Sequence, residues 1–141
     1  MFRRVMSVFT VRVTMANLDG TRQADIDAVV DIGAHFSKLP RSLATELGVV
    51  TEFHARVRVG DNRILERDGA FVRIRYEGTS GIIPVTLGVD SEVPLLGATA
   101  LEYLGLAVDS TNERLVPTEV MELAFLPVGP VSGRETAGGA A

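Results

Sequence analysis

Apolar residues recur along this chain mainly at every second position, a spacing that predicts short β-strands rather than long helices. Val5, Phe9, Val11, Val13 and Met15 share one parity, so residues 5–15 read as a strand buried more on one face. Asn17-Leu18-Asp19-Gly20 supplies a turn, and residues 21–30 read as the returning strand of a hairpin. The end of that strand, Ala28-Val29-Val30, is apolar on both faces and runs straight into Asp31-Ile32-Gly33-Ala34. A carboxylate therefore falls where a buried strand becomes a loop.

An extended piece over 35–39 precedes Pro40, and Leu43 and Leu47 stand four apart before Gly48, which predicts a helix of two turns. Phe53, Ala55, Val57 and Val59 alternate with His54, Arg56 and Arg58 up to the turn Gly60-Asp61-Asn62, and Arg63-Ile64-Leu65 returns. This is a second hairpin with a charged outer face. Val72, Ile74 and Tyr76 alternate with Phe71, Arg73 and Arg75; after a turn around Gly78 and Gly81, residues 82–87 give another strand, which Pro84 marks as an edge or a bulge. Pro94-Leu95-Leu96-Gly97-Ala98 leads into a second brief helix over 99–104, closed by Gly105, and residues 106–108 and 114–116 pair around a polar turn. An apolar strand, a Gly-Ala turn, a helix and a Leu-Gly exit thus occur twice, which reads as an internally duplicated, mostly β domain. Residues 128–141, rich in Gly, Ala and Pro without periodicity, read as a disordered tail.

With 141 residues, 46% of them hydrophobic, the chain is long enough for one domain with a sizeable core. Lys plus Arg number 14 against 18 Asp plus Glu, a net charge of −4, which is the wrong sign for a phosphate-binding surface, so no nucleic-acid partner is expected. The absence of cysteine removes disulfides, thiolate metal sites and thiol nucleophiles, and two histidines, His35 and His54, are too few for a histidine-rich metal site. No stretch approaches the ~20 apolar residues of a membrane span. Arg12 interrupts the apolar run near the N-terminus, so a soluble, cytoplasmic protein without a signal peptide is expected. A Gly-x-Ser-x-Gly elbow, a Gly-Lys-Ser/Thr phosphate loop and a metal-spaced His pair are all missing from the sequence. Glu46, Glu52 and Glu66 read as solvated charges.

An aspartate at a strand end is usually a turn former, because its carboxylate satisfies nearby backbone N–H groups. That reading suits Asp19, Asp61, Asp90 and Asp109. Asp31 differs, since uncharged residues flank it from 28 to 34, and a carboxylate so placed needs a specific partner or has its pKa raised by desolvation. Lys38, close by, has to reach solvent or find an acid.

Two segments carry a resemblance. Val29-Val30-Asp31-Ile32-Gly33-Ala34-His35-Phe36-Ser37-Lys38-Leu39-Pro40 resembles the catalytic loop of the retropepsin-like aspartic proteases, in particular their small single-lobe bacterial members. Pro94-Leu95-Leu96-Gly97-Ala98, with the helix and Leu104-Gly105-Leu106 exit that follow, is similar to that family's second motif, and the match continues to Arg114-Leu115-Val116-Pro117, spanning about residues 5–120. The resemblance implies a mainly β lobe, a closed and internally duplicated β-barrel with two short helices, over residues 1–127. It implies hydrolysis of peptide bonds by two aspartates sharing one proton, one activating a water and the other protonating the scissile carbonyl. One such motif per chain implies an Asp31 from each of two chains in a homodimer, since Leu96 and Gly97, in the second motif, bring no carboxylate. By the same resemblance the hairpin over 56–67, tipped by Gly60, Asp61 and Asn62, is a flap closing on an extended peptide or protein substrate. Ile32, Gly33 and Ala34 shape the loop and border the substrate or the interface, and no metal or organic cofactor is implied. Ile32 stands where the family carries Thr or Ser, whose hydroxyl bonds across the dimer interface. A catalytically weak or inactive dimeric peptide-binding or assembly module of the same fold is therefore the alternative.

Overall fold

The alternating residues of the first hairpin form one wall of a barrel. β1 (Phe9–Ala16) and β2 (Gln23–Val30) pair antiparallel, with Phe9 opposite Val30 and Ala16 opposite Gln23. Phe9, Val11, Val13 and Met15 are buried, as their parity requires. The computed structural model describes residues 8–90 and 92–118, so the start of the expected first strand and the whole of the expected tail lie outside the described residues.

After β3 (Ser37–Pro40) comes α1 (Arg41–Leu47), which buries Ala44 and Leu47 and ends at Gly48 in the left-handed region, φ 73°. β4 (Phe53–Arg58) and β5 (Ile64–Tyr76) form the charged hairpin, and β6 (Thr79–Gly88) pairs with β5 in turn. β7 (Leu95–Leu96) leads into α2 (Ala98–Leu104), which buries Ala100, Leu101 and Leu104 and ends at Gly105, φ 65°. β8 (Leu106–Asp109) and β9 (Arg114–Pro117) pair as a separate ribbon. The Leu115 N–H donates to the Tyr76 hydroxyl at 3.3 Å and so fastens that ribbon to the barrel.

Strand order closes on itself through β1-β2-β7-β3-β6-β5 and back to β1, a six-stranded barrel with β4 added outside on β5. Closure removes sheet edges and encloses a core that includes Met15, Val30, Leu39, Val72, Ile74, Ile83, Val85 and Leu96, each at most 1% exposed. The pairings are unchanged when β1 is exchanged with β5, β2 with β6, and β3 with β7. The β1–β2 hairpin then maps on β5–β6, and the parallel pair β2–β7 on β6–β3. The antiparallel pairs β1–β5 and β3–β7 map on themselves. The barrel is internally duplicated, as expected, but its halves correspond differently from the sequence repeat. Gly97-Ala98 opens α2 directly, whereas Gly33-Ala34 is separated from α1 by β3. The counterpart of the Asp31 loop, residues 31–36, is therefore the equally long loop 89–94. Their hydrogen bonds agree, Ala34 N–H to Asp31 O at 3.1 Å matching Glu92 N–H to Val89 O at 3.0 Å.

Two further expectations shift. Residues 64–76 form one strand rather than two, because the segment pairs with β4 along its first half and with β6 and β1 along its second. Pro84 lies in a strand with neighbours on both sides and stands opposite Phe71 of β5, yet β3 begins pairing only at Val85, so the proline is unpaired on the β3 side.

Replacing Leu39, fully buried where β3 lies between β6 and β7, by Ala is expected to cost about 2–5 kcal/mol, read as a lowered urea midpoint with an unchanged slope.

Candidate functional site

Asp31 follows directly on β2, and its loop is held by the backbone of the other half. The Asp31 N–H donates to Leu96 O at 2.9 Å and the Val29 N–H to Pro94 O at 3.0 Å. Across the same seam Ala98 N–H donates to Ala34 O at 2.7 Å and Thr99 N–H to His35 O at 3.2 Å. Gly97 makes this approach possible. A Cβ there would lie 2.6 Å from Phe36 O and 2.7 Å from Ala34 O, distances that backbone atoms cannot relieve. Its N–H donates to the hydroxyl of Ser37, a buried serine, at 3.0 Å.

The Asp31 side chain is half-buried, and its Oδ1 accepts the Gly33 N–H at 2.9 Å. A Cβ on residue 33 would sit 3.2 Å from that same oxygen, so glycine leaves the carboxylate its room. Among the described residues no side chain donates to Asp31, which leaves Oδ2 open to solvent or a ligand. The carboxylate borders a cavity of about 630 Å³ whose roof is the β4–β5 hairpin, through Val57, Val59 and Gly60.

Of the residues singled out from the sequence, Asp31, Gly33, Ala34 and Gly60 line this cavity. Leu96 and Gly97 are buried behind it and act through the backbone. Ile32 is 54% exposed beside the carboxylate, an apolar side chain facing outward. Asp61 and Asn62 satisfy the hairpin tip instead. Asp61 Oδ2 accepts from Arg63 Nε at 2.6 Å, Asn62 takes a left-handed φ of 72°, and Arg58 Nη1 donates to both Asn62 oxygens at 3.1 Å. The Arg63 side chain first, and then its N–H, hold the Asp61 carboxyl below its usual range.

The structure adds residues that the pattern of the sequence did not select: Lys38, Arg67 and Glu92 also line the cavity. Lys38, a lone cation in an apolar strand, was a visible signal, and its acid is Glu92, Nζ to Oε2 at 3.3 Å. Glu92 gave none, because nothing local ties it to residues 54 and 25 positions away. Burial raises the Glu92 pKa, but the Val89 N–H, Lys38 and Arg67 outweigh it and hold the carboxyl below its usual range.

A larger concavity, about 790 Å³, lies around Arg41, Asp68 and Asp90 and shares Arg67 with the first. There Asp68 receives Arg41 at 2.8 Å and His54 Nδ1 at 2.9 Å, joining α1 to the root of the hairpin. Asp68 is committed to these partners, Asp90 Oδ1 accepts the Ser42 N–H at 2.9 Å, and the remaining carboxylate, Glu66, is exposed. Asp31, with an uncommitted oxygen, makes the smaller cavity the candidate site. No group of three His, Asp or Glu among the described residues is placed to hold a metal ion.

A closed six-stranded single lobe with paired strand–helix units and an aspartate loop under a hairpin defines a class of fold. No protein-family model and no curated protein sequence matches the chain. Among solved structures, the EIAV protease in complex with the inhibitor HBY-793 matches with a TM-score of 0.54 and 18% identity, over 74% of this chain and 95% of that one. A retropepsin-like aspartic protease from Rickettsia conorii matches with a TM-score of 0.45 and 21% identity, over 77% of this chain and 91% of that one. The first likeness establishes the fold alone: the chain is folded as a retropepsin-like lobe, as its two motifs led one to expect.

Ser37→Ala leaves the buried Gly97 N–H without its acceptor and is expected to cost about 1–3 kcal/mol, measured by chemical denaturation.

Proposed function

We propose that the chain is an aspartic endopeptidase whose catalytic pair consists of Asp31 and its copy in a second, identical chain. The observation that carries this reading is the half-buried Asp31 carboxylate, fixed through Oδ1 by Gly33, with Oδ2 open to a hairpin-roofed cavity in a retropepsin-like lobe. A single carboxylate cannot serve as both general base and general acid in one step, so a second is needed. Glu92, the other carboxylate of the cavity, is bound to two cations and a backbone N–H and is not available for proton transfer. A symmetric dimer supplies the missing group without a second motif in the chain.

Two carboxylates brought together cannot both ionise, so the pair holds one proton. The ionised member takes a proton from a water as its oxygen adds to the peptide carbonyl, and the protonated member donates to the carbonyl oxygen. Collapse of the tetrahedral adduct breaks the C–N bond, and the amine leaves with a proton from the pair. The products are one carboxyl and one amino terminus for one water consumed. The hairpin would lie along an extended peptide and offer it backbone hydrogen bonds while excluding water.

Asp31→Asn should leave folding and dimerisation intact and lower peptide cleavage by at least about 10³-fold, in keeping with loss of acid–base catalysis at this centre. Sedimentation equilibrium and cleavage of a peptide library by the same preparations check it, and undiminished cleavage by the variant rejects the assignment.

Ile32 supports a second reading. It is exposed, borders Asp31, and carries no group able to hydrogen-bond across a twofold axis. A dimer joined there by apolar contact alone could hold an extended peptide without aligning the two carboxylates for catalysis, since misplacement by about 1 Å costs on the order of 10²-fold. Ile32→Thr is expected to raise kcat/KM or tighten the dimer if the protein is an enzyme. A variant as inert as the parent, with peptide binding retained in both, establishes the binding module.

A further inference from the structure

We propose that the cavity beside Asp31 is an anion-accepting subsite that takes the side-chain carboxylate of an Asp or Glu in the bound peptide. The inference rests on the peptide-binding role given to this cavity above, and it names the side chain that the cavity selects.

Three charged side chains from separate parts of the chain meet at the cavity: Lys38 from β3, Arg67 from β5 and Glu92 from the loop 89–94. Glu92 lies 3.3 Å from Lys38 Nζ through Oε2, and 3.3 Å from each Arg67 Nη through its two oxygens. Oε1 also accepts the Val89 N–H at 3.0 Å. One carboxylate thus answers two cations, and the cluster keeps a net charge of +1. The side chains are 28%, 14% and 25% exposed for Lys38, Arg67 and Glu92, so the excess charge already stands largely out of water.

The donor count points the same way. An ammonium has three N–H donors, and Lys38 has no acceptor other than Glu92 among the described residues. The Arg67 contacts, at 3.3 Å, are longer than the ~2.7–2.9 Å of a well-formed charge-assisted bond, which leaves that guanidinium open to a second acceptor. Asp31 forms no ion pair with either cation among the described residues, and its ordered oxygen is engaged by Gly33. Two more arginines border the cavity along the hairpin. Arg58 donates to the neutral Asn62, and Arg56, opposite Glu66 in the β4–β5 register, forms no ion pair among the described residues; both are exposed, so the partly buried excess charge is that of the Lys38 cluster.

A peptide seated here displaces the water that solvates this charge. A neutral side chain would leave the cation desolvated and unpaired, whereas a carboxylate replaces the lost water and uses the free Lys38 donors. The subsite therefore discriminates by charge.

The test pairs extended fluorescent peptides that differ by Glu against Gln at a single position, scanned through the peptide. Binding is followed by anisotropy to the Asp31→Asn protein, so the readout does not depend on cleavage. One position should favour Glu by about tenfold in Kd at low salt, and less at high salt. Lys38→Met, which leaves Arg67 and Glu92 paired and the cluster neutral, should bring that ratio close to one. Glu92→Gln should raise it, an outcome that a merely structural role for the cluster would not give. Equal binding of every Glu and Gln pair, or a preference that survives Lys38→Met, overturns the proposal. Cleavage by the parent protein is scored separately, so a failed protease assignment and a failed subsite assignment give different results.

Discussion

The close approach of two main-chain segments far apart in sequence, at Gly97, is the constraint on which the rest of the molecule depends. Backbone carbonyls of Ala34 and Phe36 pass where any side chain on residue 97 would stand. That contact lets the strand pairs β2–β7 and β3–β7 form side by side, and it directs two N–H groups of the second half, those of Ala98 and Thr99, onto the loop that follows Asp31. Barrel closure and the placement of the carboxylate are therefore one event. Ser37 completes it by accepting the Gly97 N–H in a place that water does not reach.

Charge serves a different purpose from packing in this chain. The ion pairs at Asp68 and at Glu92 each join elements that are not neighbours in a strand pairing: α1 with the root of the hairpin in one case, β3 with β5 and Glu92 in the other. Partly desolvated ion pairs add little net stability, because the cost of removing charges from water offsets their attraction. Their value here lies in position. They tie the hairpin, through His54, Arg67 and Asp68, to α1, β3 and Glu92.

The duplication of the lobe explains why one half can carry a functional carboxylate and the other cannot. Both halves bring a six-residue loop to the junction between their second and third strands, with matching backbone hydrogen bonds. In the first loop the leading residue is Asp31; in the second it is Val89, and the acid one position later, Asp90, is spent on the Ser42 N–H at the start of α1. The same local geometry thus supports two outcomes, set by which position holds the acid.

Local pattern determined the strands, both helices and their glycine ends, because alternation, four-residue spacing and a left-handed cap each depend on neighbours within a few residues. The motif around Asp31 and its second-half companion were legible for the same reason. Locally, however, Asp31 resembles the turn-forming aspartates: it accepts an N–H two residues on, as Asp19 does from Thr21 and Asp61 from Arg63. What separates it is the cavity, and the cavity exists only once β2, β3 and the hairpin converge. The partnership of Lys38, Arg67 and Glu92 is of the same kind, since residues 25 or more positions apart meet only through barrel closure. Sequence decided which elements form, because their causes are local; the tertiary structure alone decided which charges share a site, because electrostatic contact depends on distance in space and not along the chain.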